Sequence, residues 1–294
     1  MIKIEHLTKK YSSGKGIFDV SFEIEKGEVF GFLGPNGSGK TTTIRQLLGF
    51  TNADEGVCTI NGLDSRLECK EIHKTLGYLP GEISFFDDMT GNEFMNFMQN
   101  LRNNKDKTIR NQLINRFELE SDRKIQKMSK GMKQKVALIS AFMHNPDILI
   151  LDEPTSGLDP LMQKRFIEFI LEQKALGKTI LMSSHMFEEV ERTCERVAII
   201  KEGRIVAIEK ISDLKEKVSK QYLVSLKDNE SIHKVLNSSL DTRSINSHQV
   251  EITLHNNANE MLSVLSGVNV DSIDSINQSL EQIFISYYGK EDTK

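Results

Sequence analysis

The sequence predicts an α/β fold: a mostly parallel sheet covered by helices, interrupted by a helical insert and followed by a smaller α/β domain. Three observations predict it. The run Gly34-Pro35-Asn36-Gly37-Ser38-Gly39-Lys40-Thr41 lies between an apolar stretch, residues 29–33, and a helix-like stretch, residues 42–50. That order of strand, glycine loop and helix is the context of a phosphate-binding loop. A second apolar run, residues 147–151, ends in Asp152-Glu153-Pro154. Strand-like and helix-like stretches then alternate to about residue 212, the pattern of a helix-covered parallel sheet.

The loop explains its own composition. Gly34, Gly37 and Gly39 let the backbone curl so that successive N–H groups of Asn36, Ser38 and their neighbours point at a phosphate. The helix start, running on into Thr42, adds orphan N–H donors and a partial positive charge. Lys40 brings a full charge to the β- and γ-phosphates, and the Thr41 hydroxyl is a ligand for Mg²⁺. Nucleotide phosphate is the expected ligand.

Composition narrows the class. The chain has 294 residues, 27% charged and 38% hydrophobic, which predicts a soluble globular protein with one large and one small domain. Its longest apolar runs fall far short of the roughly 20 residues that cross a bilayer, and residues 1–5 lack the apolar core of a secretory signal. The net charge of −4 is no electrostatic match for nucleic acid. Cys58, Cys69 and Cys194 are few and widely spaced, as in reduced thiols of a cytosolic chain.

Taken in order, residues 2–5 read as an edge strand closed by Tyr11. Residues 19–24 alternate like a half-buried strand, and Lys26-Gly27-Glu28 turns the chain into the strand before the loop. Residues 56–60 with Asn61-Gly62 read as a strand and hairpin-type turn, followed by a short helix at about 66–74 and a strand at 76–79. From about 83 to 145 strand signals vanish, and Thr90, Met95, Met98 and Leu101 stand at helical spacing. This insert ends in a helix starting near Ser129. Strands follow at 147–151, 179–182, 197–201 and 204–208, the last two joined at Glu202-Gly203. Beyond about 212, strand-like pieces at 222–226 and 250–254 alternate with helix-like ones ending at 279–288; residues 290–294 read as a frayed end.

The acidic run adds chemistry. The C-terminal end of a strand is where an open α/β sheet presents ligands. The apolar strand at 147–151 is expected inside the sheet, next to the loop strand. Asp152 at its end is placed to hold Mg²⁺, and Glu153 to accept a proton from a water attacking the γ-phosphate. Ser129-Lys130-Gly131-Met132 opens a helix whose cap and glycine leave N–H groups open to an anion.

Together, GPNGSGKT (34–41), MSKGMKQ (128–134), ILILDEP (148–154), SGLD (156–159) and His185 after Ser183-Ser184 resemble the nucleotide-binding subunit of an ABC transporter, over residues 1 to about 212. The remainder, with Ser-Leu-Glu-Gln-Ile-Phe near its end, is similar to the C-terminal extension of bacterial drug- and peptide-efflux ATPases of the bacitracin-resistance type. The resemblance implies an ABC ATPase core (1–212) with an antiparallel β subdomain and a helical subdomain (about 83–145), then an accessory α/β domain (213–294). It implies Tyr11 stacking on adenine, Ser129 and Gly131 reaching the γ-phosphate on a second subunit, Asp159 at the dimer seam, and His185 on the γ-phosphate. The implied cofactors are ATP and Mg²⁺. The implied partners are a membrane-spanning permease and a second ATPase, identical or related, so the chain is expected in the cytoplasm, peripheral on the inner face of the membrane.

Two departures stand out. After Gly77-Tyr78-Leu79-Pro80 the family's metal-sensing Gln is replaced by Gly81-Glu82, and Glu82 can substitute because a carboxylate binds Mg²⁺ at least as readily. Lys130 and Met132 replace the family's Gly and Gln. Two readings of Lys130 stand open, a charge near the γ-phosphate or a solvent-facing side chain. Phe85, Phe86 and Met89 read equally as docking surface or core. The expected function is ATP-driven transport, with efflux favoured by the C-terminal resemblance. The rivals are a soluble ABC ATPase and a nucleotide-gated regulatory module without transport.

Overall fold

The computed structural model describes residues 1–86, 88–216, 220–254 and 258–276. It divides into two compact units, Met1–Ile211 and Ser212–Lys294. The first begins with β1 (Ile2–Lys10), β2 (Gly16–Ile24), β3 (Val29–Leu33), α1 (Lys40–Leu47), β4 (Glu55–Ile60) and β5 (Leu63–Asp64). α2 (Cys69–Thr75) and β6 (Leu76–Leu79) lead into a helical stretch of α3 (Gly91–Leu101), α4 (Thr108–Arg116) and α5 (Lys130–Phe142). β7 (Ile148–Asp152), α6 (Pro160–Ala175), β8 (Thr179–Ser184), α7 (Phe187–Thr193), β9 (Arg196–Lys201) and β10 (Arg204–Lys210) complete it, followed by α8 (Ile211–Glu216).

Six strands form the main sheet in the order β10-β9-β3-β8-β7-β6, parallel except for β10. Every residue of β3, β7 and β8 is buried, which is why their apolar residues come in unbroken runs rather than alternating. The β9–β10 turn has Glu202 and Gly203 both at positive φ, 48° and 78°, the backbone that matches a twisted hairpin. Contrary to the sequence expectation, β8 separates the acidic strand β7 from the loop strand β3. Apolar runs report burial but not which buried strand is whose neighbour.

A second, antiparallel sheet has the order β2-β1-β4-β5. β1 is therefore an inner strand, not the edge strand its sequence suggests, because β2 and β4 both pair with it. Ile2, Ile4, Leu7, Val20 and Ile24 share one buried cluster with Phe30, Phe32 and Ile44. That packing seats the antiparallel sheet beside the loop strand and its helix.

The loop helix starts at Lys40, two residues earlier than its apolar pattern suggests, and α2 starts at Cys69 rather than near 66. In α3 Thr90 is not a face position. It is the N-cap, in a reciprocal capping box with Glu93. The buried stripe is Gly91, Met95 and Gln99, while Leu101 is 66% exposed.

The second unit contains β11 (Lys220–Leu226), α9 (Asn229–Leu236), β12 (Asp241–Asn246), β13 (Gln249–Leu254), α10 (Ala258–Leu265) and β14 (Val270–Ile276). Its antiparallel sheet runs β12-β13-β11-β14, the βαββαβ arrangement of ferredoxin-like folds. Val224, Leu226, Val250 and Ile252 meet Ile232, Val235, Met261 and Leu265 in its own core. The helix-like stretch at 279–288, the Ser-Leu-Glu-Gln-Ile-Phe run and residues 290–294 lie outside the described residues.

Candidate functional site: a phosphate-loop cleft

The loop after β3 is shaped by backbone that only glycine adopts freely. Gly39 caps α1 with φ 115°, and an added Cβ there would lie 2.7 Å from Ile17 Cγ2. Among the described residues no side chain caps α1, which leaves its first N–H groups to face an anion. Lys40 is 5% exposed and donates from Nζ to Gly34 O (2.6 Å) and Pro35 O (3.2 Å).

At the end of β7 the chain turns through Glu153, whose φ is 51°. This left-handed conformation is costly for a side-chain-bearing residue. It leaves Asp152 wholly buried and places Glu153 on a cleft of about 660 Å³. Asp152 accepts from Thr41 Oγ1 at 2.8 Å and from Ser183 Oγ. Glu153 Oε1 lies 3.2 Å from Lys40 Nζ, and Oε2 accepts from His185 Nδ1. Oε1 is buried and, among the described residues, has no hydrogen-bond partner besides that ion pair.

Of the predicted residues, Tyr11, Asn36, Gly37, Gly39, Lys40, Thr41, Thr42, Glu82, Glu153 and His185 line this cleft. Gly34, Ser38 and Asp152 stand behind the lining. Lys15, Arg45, Tyr78 and Ser156 line it as well, residues whose only sequence signal is their proximity to the motifs. Burial, with the charge of Asp152 adding to it, pushes the Tyr78 hydroxyl up to about 12.

Ser129, Gly131 and Asp159 are not part of the cleft. Ser129 caps α5, accepting from Met132 N at 3.2 Å, and Asp159 caps α6 through Met162 N at 3.0 Å. Gly131 is required by close approach, since a Cβ would lie 2.7 Å from Gly157 O. Lys130 is exposed, and its Nζ donates to Ser156 Oγ at 3.1 Å. Gln134, buried in α5, donates to Pro154 O at 2.7 Å.

The donor set suits a hard divalent cation. Thr41 Oγ1 and Asp152 Oδ2 are hard ligands at one point beside the loop, with Glu82 on the same cleft. No group of three or more His, Cys, Asp or Glu side chains that could hold a metal occurs among the described residues. A cation here would therefore share its ligands with phosphate oxygens and water, as Mg²⁺ does in nucleotide sites.

A phosphate loop, a buried strand-end carboxylate and a second carboxylate facing the cleft define a P-loop nucleoside triphosphatase. The comparisons carry this further. Residues 17–156 match the family model described as ABC transporter. An ABC transporter ATP-binding protein of Methanocaldococcus jannaschii is 39% identical over 223 residues, 74% of this chain and 80% of the relative. The linearmycin resistance ATP-binding protein of Bacillus subtilis is 29% identical over 307 residues, 99% of both chains. A solved structure described as a dimeric bacterial ABC transporter cassette superposes with a TM-score of 0.65 at 25% identity, covering 72% of this chain and 99% of that one. The chain belongs to the ATP-binding subunits of ABC transporters and is an ATPase. No described helix is long and apolar enough to cross a membrane.

Proposed function

We propose that two copies of this chain, or one copy and a related ATPase, close head to tail around two MgATP and drive efflux through a separate membrane permease. The observation that carries the reading is the meeting of Lys40, Glu153 and His185 on one cleft. Lys40 and the open N-terminus of α1 bind the phosphates and offset charge on the transferred group. Thr41 and Asp152 would hold Mg²⁺, which supplies further charge neutralisation when bound. Glu153 takes the proton from the attacking water, and His185 orients Glu153 and meets the γ-phosphate. Ser129 and Gly131 serve the partner's nucleotide, and Tyr11 stacks on adenine. Glu82 stands in for the metal-sensing Gln.

The efflux direction is supported by the full-length similarity to a linearmycin resistance protein. Docking on the permease falls to the start of the helical stretch. There Phe85 packs edge-on to Phe94 at 4.9 Å and Phe86 to Phe97 at 5.7 Å, with Phe86 56% exposed. Phe85 and Met89 are half-buried in the same segment, a composition that suits an interface.

The test compares wild type with Glu153→Gln for MgATP hydrolysis and for mass by size exclusion. Wild type is expected to turn over, and the variant to be inactive yet form a stable dimer with ATP. Equal hydrolysis by both proteins would remove Glu153 from the role of base.

A further inference from the structure

Directly behind the cleft lies a carboxylate that the proposed mechanism does not use. Glu189, on α7, is 3% exposed. Its Oε1 accepts the hydroxyl of Thr155, and its Oε2 accepts the hydroxyl of Ser184 at 2.9 Å. Those partners flank the reacting pair. Thr155 follows Glu153 by two residues across Pro154, and Ser184 directly precedes His185. Ser184 Oγ also accepts from Met186 N at 2.9 Å, so the residues on both sides of His185 are tied to one oxygen.

The helix that carries this carboxylate is itself anchored. Thr193 Oγ1 donates to Glu189 O at 2.7 Å, and Val190 of the same helix is fully buried. Val190 reaches the loop strand, since a Cβ on Gly31 would lie 2.5 Å from its Cγ1. Burial pushes the Glu189 carboxyl up, and the nearby charge of Glu153 adds to this. Keeping such a group in the interior costs stability. A fixed acceptor for two hydroxyls on two different turns is what that cost sustains.

We infer that Glu189 is a positioning residue that sets the approach of His185 to Glu153 by clipping together the two turns that carry them. The inference rests on the reading of Glu153 and His185 as the reacting pair. Two carboxylate oxygens span Thr155 and Ser184 at once. Glu189→Ala removes the clip, whereas Glu189→Gln keeps one carbonyl acceptor at the same reach and should retain it in part.

The experiment uses the full chain with two readouts. One is steady-state MgATP hydrolysis. The other is the imidazole ¹⁵N spectrum at constant pH, with the His185 signals assigned by their loss in His185→Gln. In wild type the ring is expected as one tautomer with Nδ1–H held by a carboxylate. In Glu189→Ala that signature should broaden toward a mixture, and kcat should fall about 10- to 100-fold with KM within about twofold. Glu189→Gln should lie between the two, and it carries the test if the alanine variant does not fold. A folded variant whose His185 signature matches wild type overturns the inference. A changed signature with unchanged kcat instead overturns the role of the Glu153–His185 pair in hydrolysis, and with it any catalytic consequence of Glu189.

Discussion

Lys40 Nζ and Glu153 Oε1 stand 3.2 Å apart, linking the phosphate loop to the end of β7. The lysine also donates to two loop carbonyls, so its ammonium is fixed where the γ-phosphate of ATP is expected. Lys40→Met keeps the aliphatic stem and deletes the charge. We expect ATP affinity to fall by at least about tenfold and hydrolysis by about 100-fold or more, read by fluorescent-nucleotide titration and phosphate release. Undiminished affinity would separate Lys40 from the phosphates.

Ser183 holds Asp152 from behind, through a hydroxyl bond to Oδ1 opposite the Thr41 contact on Oδ2. Outer partners of metal-ligating groups tune affinity by about 10- to 100-fold. Ser183→Ala should raise the Mg²⁺ concentration for half-maximal hydrolysis by about tenfold at fixed ATP. A superimposable Mg²⁺ curve would show that Asp152 needs no such support.

His144 is the clearest pH-dependent contributor to stability. Burial, assisted by the charge of Arg102, lowers it from 6.5 to about 4, so the folded state holds the neutral ring. The unfolded chain then binds the extra proton between those values, and stability rises with pH through that window. The contribution is complete above about pH 6.5 and lost as pH falls toward 4. It amounts to on the order of 2 kcal/mol after allowance for the partial exposure of the ring. Urea unfolding of wild type and His144→Gln across pH 4 to 7 checks it. The variant should show the shallower slope.

Lys130 is committed to Ser156 within its own chain. An exposed hydrogen bond of this kind contributes little. Lys130→Met should lower kcat less than about threefold and shift Tm by no more than about 3 °C. A hundredfold loss would instead place its charge on the partner's nucleotide.

The motifs were legible because their chemistry is local. A glycine loop, a capped helix start and an acid pair after an apolar strand each occupy a few consecutive residues, and all lie where the chain order predicts. What the sequence concealed depends on pairing at a distance. β1 reads as an edge strand because its alternation is the same whether one neighbour or two are present. Ser183 reads as a flank of His185, although its hydroxyl serves Asp152 from 31 positions away. Glu189 drew no reading from the sequence, because only the packing of α7 turns it inward. The ferredoxin-like order of the second unit was likewise hidden, since its strands pair out of sequence.

β6 is held at its start by two side chains on one oxygen: Arg102 Nη2 and His144 Nε2 both reach Leu76 O at 3.2 Å. Arg102 also clamps the carbonyls of His73 and Lys74. Four residues later the strand delivers Pro80, Gly81 and Glu82 to the cleft, with Gly81 so close that a Cβ would lie 3.1 Å from Asp152 Oδ2. A hydrogen-bonded strand does not stretch. It therefore acts as a rigid spacer, holding a fixed length between the α3 end that Arg102 clamps and the cleft rim at Gly81 and Glu82.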